Sequence, residues 1–142
     1  MTNTFKLPVR VYIEDTDAGN IVYYVNYLKF MERARTEFMR TLGYDKPAFL
    51  VGDRLLVVHS ANTRYVRPAV LDDALQVSVE LGKLARSYVV FRQCVSRGDE
   101  LLCEAEIKVA CVRQRDMRPV PFPDDVQAAL AAQLSTQIET SA

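Results

Sequence analysis

The sequence predicts an α+β fold, with one long amphipathic helix laid against an antiparallel sheet. Two observations carry this. Apolar residues recur at helical spacing from Tyr27 to Leu42 and nowhere else for as long. From about residue 55 the pattern changes to segments of strand character, rich in β-branched and aromatic residues and separated by Pro and Gly. One striped helix followed by a run of strands is the signature of a two-layer α+β domain.

The elements follow in order. Val9 to Ile13 reads as a short strand, and Asp15 to Tyr24 as a loop turned by Ala18-Gly19-Asn20. A helix is expected from near Asn26 to Leu42. Tyr27, Met31, Ala34, Phe38 and Leu42 form its apolar stripe, widened by Leu28 and Phe30. Lys29, Glu32, Arg33, Arg35 and Glu37 occupy the other side, with Glu32–Arg35 and Glu37–Arg40 spaced for mutual support. Asn26 suits an N-cap and Gly43 a left-handed C-terminal cap. Strands are predicted over Leu55–Arg67, ending at Pro68, over Leu75–Leu81, and over Ser87–Arg97, followed by a Gly98-Asp99 turn. Leu101–Arg113 alternates most clearly: Cys103, Ala105, Ile107, Val109 and Cys111 face one way, Glu104, Glu106 and Lys108 the other. Pro119, Pro121 and Pro123 interrupt the pattern before a short helix from Val126 to Ile138.

Bulk properties narrow the function. The 142 residues fit one domain, residues 1–142, with a real core. Eighteen Lys and Arg balance eighteen Asp and Glu, so no basic excess points to nucleic acid. No apolar stretch approaches the roughly 20 residues that span a bilayer. The N-terminus MTNTFKLPVR lacks the apolar centre of a signal peptide, and a cytoplasmic protein is expected. Cys94, Cys103 and Cys111 are odd in number and lack CxxC spacing. Cys103 and Cys111 read as small packed residues, and three scattered Cys with one His do not suggest zinc. That one His, His59, lies in the strand containing Val57 and Val58, which suits a structural or interface position.

Residues 12–38, YIEDTDAGNIVYYVNYLKFMERARTEF, carry the chemistry. Asp17 is a carboxylate a few residues before a helix N-terminus. That end of a helix has free N–H groups and partial positive charge. It can hold a developing oxyanion while a nearby carboxylate handles the attacking group. Taken alone, Asp17 equally suits a turn residue. Asp15 reads as structural, accepting backbone hydrogen bonds in the turn. Tyr23, Tyr24 and Tyr27 are apolar bodies with polar tips.

Three blocks carry a family resemblance: EDTDAGNIVYYVNYLKFMERART at 14–36, TRYVRPAVLDD at 63–73 and RPVPFP at 118–123. Together they resemble hotdog-fold acyl-CoA thioesterases of the 4-hydroxybenzoyl-CoA thioesterase family. The nearest likeness is to the small bacterial acyl-CoA thioesterases often encoded with the Tol–Pal envelope system. The resemblance implies the hotdog arrangement, a long central helix wrapped by a curved antiparallel β-sheet. It implies hydrolysis of an acyl-CoA thioester with Asp17 as nucleophile or general base. The backbone N–H groups at the helix start, near Tyr24, would serve as oxyanion hole. It implies no metal or redox cofactor, and a homo-oligomer, four copies as a dimer of dimers, with sites where protomers meet. Many close relatives carry His where this chain has Tyr24, while the 4-hydroxybenzoyl-CoA branch carries Tyr. CoA phosphates need donors, and Arg64, Arg67 and Arg86 are the candidates, each also readable as a solvated surface charge. Two readings from other classes stand beside this one: a hotdog hydratase or dehydratase, and a non-catalytic acyl-CoA-binding module.

Overall fold

The computed structural model describes residues 4–46 and 52–141, with side chains described as far as Gln137. Five strands form one antiparallel sheet: β1 (Phe5–Arg10), β2 (Arg54–Tyr65), β3 (Ala74–Leu84), β4 (Tyr88–Arg97) and β5 (Glu100–Arg113). Their spatial order is β1-β3-β4-β5-β2, so β1 and β2 are the edges. The long helix α1 spans Val25–Thr41, and the C-terminal helix α2 spans Asp124–Ser141. A single 3-10 turn, Ile13–Asp15, leads out of β1.

The core lies between α1 and one face of the sheet. Tyr27, Phe30, Met31, Ala34, Phe38 and Met39 of α1 are buried. They meet Leu75, Val77, Val79 and Leu81 of β3, and Val89, Phe91 and Val95 of β4. Phe38 sits edge-on to both Phe5 and Phe91, with ring centroids 5.8 and 6.1 Å away. The alternation expected along β5 holds, since Cys103, Ala105, Ile107, Val109 and Cys111 are all buried. Burial pushes the Cys103 thiol up to about 12, so it packs as a neutral apolar group. Cys94 differs: it faces the outer side of the sheet, half-buried beside Glu104 and Arg92.

The end of α1 is as predicted. Gly43 adopts φ 99°, its N–H bonding to Arg40 O and the Tyr44 N–H to Met39 O. That is the paired closure of a left-handed helix cap. At the other end of the chain, α2 buries Val126 and Leu130. Its Gln137 amide pairs with both backbone groups of Leu81, beyond the point where β1 stops pairing with β3.

Three expectations need correction. The first strand runs Phe5–Arg10, not Val9–Ile13. The strand contains Pro8, which β1 accommodates because it is an edge, where a missing N–H is tolerated. Asn26 is not the N-cap: the helix begins at Val25, the cap position is Tyr24 in helical conformation, and no side chain caps it. Arg35 is not on a free polar face. It is half-buried and donates to Gln93 Oε1 at 2.8 Å, whereas Glu37–Arg40 does pair as spaced. Desolvation lowers the pKa of the Arg35 guanidinium, partly offset by Glu32.

Gln93 explains where Arg35 goes. It is a fully buried polar side chain on the inner face of β4. Its amide donates to Met31 O of α1 at 3.0 Å and to Ser78 O of β3 at 3.3 Å, while its carbonyl accepts from Arg35. Buried polar groups are tolerated only when satisfied in this way. Replacing Gln93 with Leu is therefore expected to lower unfolding free energy by about 1–3 kcal/mol, through the stranded Arg35 guanidinium. Chemical denaturation of the two proteins measures the difference.

Candidate active site

The segment between β1 and α1 is a hairpin-like loop pinned at several points. Thr16 and Val22 form a bridge, as do Ile21 and Val70. The Asp17 N–H bonds to Ile21 O, and the Asn20 N–H to Asp17 O, both at 3.0 Å. Asn20 takes the left-handed conformation at φ 62°, as the tight turn requires. Below the bridge, Asp15 holds three donors. Its carboxylate accepts the Tyr12 N–H at 2.9 Å, and its carbonyl accepts the Tyr23 N–H at 3.0 Å and Asn26 Nδ2 at 2.8 Å. The structural reading of Asp15 therefore holds.

Asp17 lies at the turn and is exposed. Its Oδ1 accepts the Gly19 N–H at 2.9 Å, the geometry of an Asx turn. Its Oδ2 has no partner among the described residues. The loop then enters α1 at Tyr24. The Asn26 N–H bonds to Tyr23 O and the Tyr27 N–H to Tyr24 O. Among the described residues, the Tyr24 and Val25 N–H groups are unpartnered, at the positive end of a 17-residue helix. A carboxylate oxygen and two backbone donors are thus left open on one short loop. A carboxylate can take a proton or attack a carbonyl, and such donors stabilise oxyanions.

Aromatic rings frame this helix start. Tyr24 stacks at a tilt on Tyr23, 5.0 Å between centroids, and meets Tyr65 edge-on at 5.9 Å. Tyr65 also meets Tyr27 at 5.7 Å. Tyr24 and Tyr65 remain 57% and 45% exposed, so their rings line surface open to a ligand. Tyr27 is buried, and its hydroxyl accepts the Ala69 N–H at 2.9 Å. Burial raises its pKa, with the Ala69 contact acting the other way. Tyr65 was not singled out from the sequence. Its signal was there, since it falls within the 63–73 block at the end of a strand.

The structure separates the three arginines. Arg64, on the outer side of β2, donates to Glu104 at 2.8 Å and is ion-paired with it. Tyr65, the next residue, points inward to Tyr24, so Arg64 lies across the sheet from the helix start. Arg67 follows β2 and reaches Glu100 at 3.5 Å. Glu100 also holds Arg97, which pairs with Asp73. Arg86 sits in the β3–β4 connection, exposed and without an ion pair among the described residues. His59 is exposed where the β2–β5 register shifts between Val58 and Ser60.

Among the described residues no cluster of three or more His, Cys, Asp or Glu could hold a metal ion. No helix among them is long and apolar enough to cross a membrane.

Residues 11–130 match the thioesterase-like superfamily. The acyl-CoA thioesterase YbgC of Haemophilus influenzae is 44% identical over 130 residues, covering 91% of this chain and 96% of that protein. The acyl-CoA thioester hydrolase YbgC of Escherichia coli is 40% identical over 128 residues, covering 89% and 96%. Among solved structures, a probable thioesterase from Bartonella henselae superposes with a TM-score of 0.75 at 28% identity, over 84% of this chain and 98% of that one. Fold, loop and sequence agree: the chain belongs to the thioesterase-like superfamily, and its curved five-stranded sheet around one long helix is the hotdog arrangement.

Proposed function

We propose that this protein hydrolyses an acyl-CoA thioester to a free acid and CoA. The observation that carries the proposal is an open Asp17 Oδ2 on the loop that leads into α1, whose first turn presents the unpartnered Tyr24 and Val25 N–H groups. They lie inside the segment shared with relatives named for acyl-CoA thioester hydrolysis. In this reading the thioester carbonyl points at the first turn of α1. The helix dipole and the two amides take up charge as the carbonyl oxygen becomes an oxyanion. Asp17 either attacks the carbonyl carbon, giving an anhydride that water then cleaves, or removes a proton from the attacking water. In both routes the C–S bond breaks and CoA leaves as a thiolate, a good leaving group.

The site is completed, in this proposal, by a second protomer, and four copies assemble as a dimer of dimers. Two features support a shared site. The edge strand β2 leaves its inner face partly bare, with Val58 54% exposed, and an unpaired edge invites pairing about a two-fold axis. Arg86, the one phosphate candidate without an ion pair, lies at the far end of β3 from the loop. The 11 residues of that strand separate the two ends by roughly 30 Å, so Arg86 would serve a neighbour's site. Arg64 and Arg67 are already partly engaged, by Glu104 and Glu100, whose negative charge opposes a phosphate there.

Release of free thiol from a panel of acyl-CoA esters tests the function, and absence of release on every ester would refute it. Asp17→Asn is expected to lower kcat by about 10²-fold or more, with the fold intact. A variant keeping more than about half the wild-type rate would remove Asp17 from the mechanism.

Tyr24→Phe is expected to cost far less than Asp17→Asn, because the proposed contribution at this position is the backbone N–H. Equal losses in the two variants would assign catalysis to the phenol.

Mixing Asp17→Asn protomers with Arg86→Ala protomers is expected to recover part of the activity that each lacks alone, since some mixed sites inherit both intact halves. Size-exclusion chromatography would accompany the assay. A fully active monomer, or no recovery in confirmed mixed oligomers, would overturn the shared site.

A further inference from the structure

We propose that Asn26 is a positioning residue for the hydrolytic step, fixing the Asp17 loop against the first turn of α1. The inference rests on the reading of Asp17 and the helix start given above.

Asn26 is the second residue of α1, where its side chain contributes little to the helix itself, Asn being a modest helix former. Its amide reaches back 11 residues to donate to Asp15 O at 2.8 Å. Among the described residues this is the one side-chain hydrogen bond joining α1 to the Asp15–Asp17 stretch. Its two ends are well placed. Asp15 is two residues before the carboxylate of Asp17, and Asn26 adjoins Val25, whose N–H is one of the two open donors. The bond therefore ties the first turn of α1 to the stretch that bears the carboxylate, beside the Tyr23 N–H bond to the same carbonyl and the Thr16–Val22 bridge.

The Asp15 carbonyl also accepts the Tyr23 N–H at 3.0 Å, so loss of the Asn26 amide leaves that carbonyl satisfied. The loop keeps its Thr16–Val22 and Ile21–Val70 bridges, and α1 keeps its buried stripe. What is lost is registration between two pieces that each survive. Catalysis responds steeply to such shifts, since a misplacement near 1 Å can cost about 10²-fold. A residue of this kind affects turnover more than stability or substrate affinity.

The experiment compares Asn26→Leu, similar in size but without a donor, in the wild-type and Asp17→Asn backgrounds, following thiol release and chemical denaturation. In the wild-type background kcat is expected to fall about 10-fold or more, with KM changed by less than about 3-fold and the unfolding midpoint little moved. In the Asp17→Asn background the same substitution should lower the residual rate by less than about 2-fold, because the group being positioned is gone. Equal proportional losses in both backgrounds would overturn the proposal, as would a rise in KM with kcat unchanged. If Asn26→Leu does not fold, Asn26→Asp, which keeps the shape and loses the donor, is read in the same way; failure of both to fold would make Asn26 a folding residue and overturn it too. An active wild type with unaffected Asn26 variants removes only the positioning role. A wild type that releases no thiol removes the functional reading beneath it.

Discussion

The structure depends on how a single helix covers one face of a five-stranded sheet. An apolar sheet face must be buried, and α1 is the element available to bury the middle of it. Seventeen residues make a rod about 25 Å long, and it packs chiefly on β1, β3 and β4. The helix is held by its stripe, by the Gln93–Arg35 contact at its centre and by Tyr27 at its start. Its N-terminus is thus set by packing, and the open amides there inherit their position from the core. A donor fixed in this way need not reorganise when charge develops, which is what makes backbone N–H groups effective toward oxyanions.

The same coverage leaves a remainder. Beyond α1 a cleft of about 270 Å³ opens between the helix and β2, lined by Glu32, Arg35, Met39, Leu56, Val58 and Val109. The strand that borders it is also an unpaired edge. Both features are liabilities in a solitary protomer, and a second copy across β2 would relieve them together. The proposed oligomer and the proposed shared site are therefore one argument. In the proposed assembly, a copy that covered the bare inner face of β2 would also bring its residues toward Tyr24 and Tyr65.

Reading from the sequence succeeded where one local physical cause dominates. The α1 stripe and the β5 alternation are each dictated by one buried face, and periodicity records that directly. The Gly43 cap was legible because only a left-handed position asks for Gly there. The loop around Asp17 was legible as a turn from its residues, while its proposed reactivity rests on the family likeness. Failures came where the cause is tertiary. Pro8 argues against a strand unless the strand is known to be an edge. Asn26 looks like a cap because capping is a local preference, whereas its actual partner is 11 residues upstream. Arg35 looks like a surface charge because nothing nearby in sequence reveals Gln93. The pairing of Arg64 and Arg67 with Glu104 and Glu100, both on β5, is likewise a matter of strand order.

These distinctions bear on position 24, where the family resemblance implies His in many relatives and this chain has Tyr. In the proposed mechanism position 24 serves through its N–H, and a backbone donor is indifferent to the side chain attached to it. Substitution there need not alter the chemistry as long as the helix start is held by other residues, and here Tyr27, Asn26 and the loop bridges hold it. The Tyr24 ring is free to do something else. Packed against Tyr23 and Tyr65 and largely exposed, it shapes the surface at the helix start, where the proposed mechanism puts the acyl group. In the proposed mechanism, exchange of His for Tyr at this position would therefore bear first on which acyl group fits, and only secondarily on how fast the bond is broken.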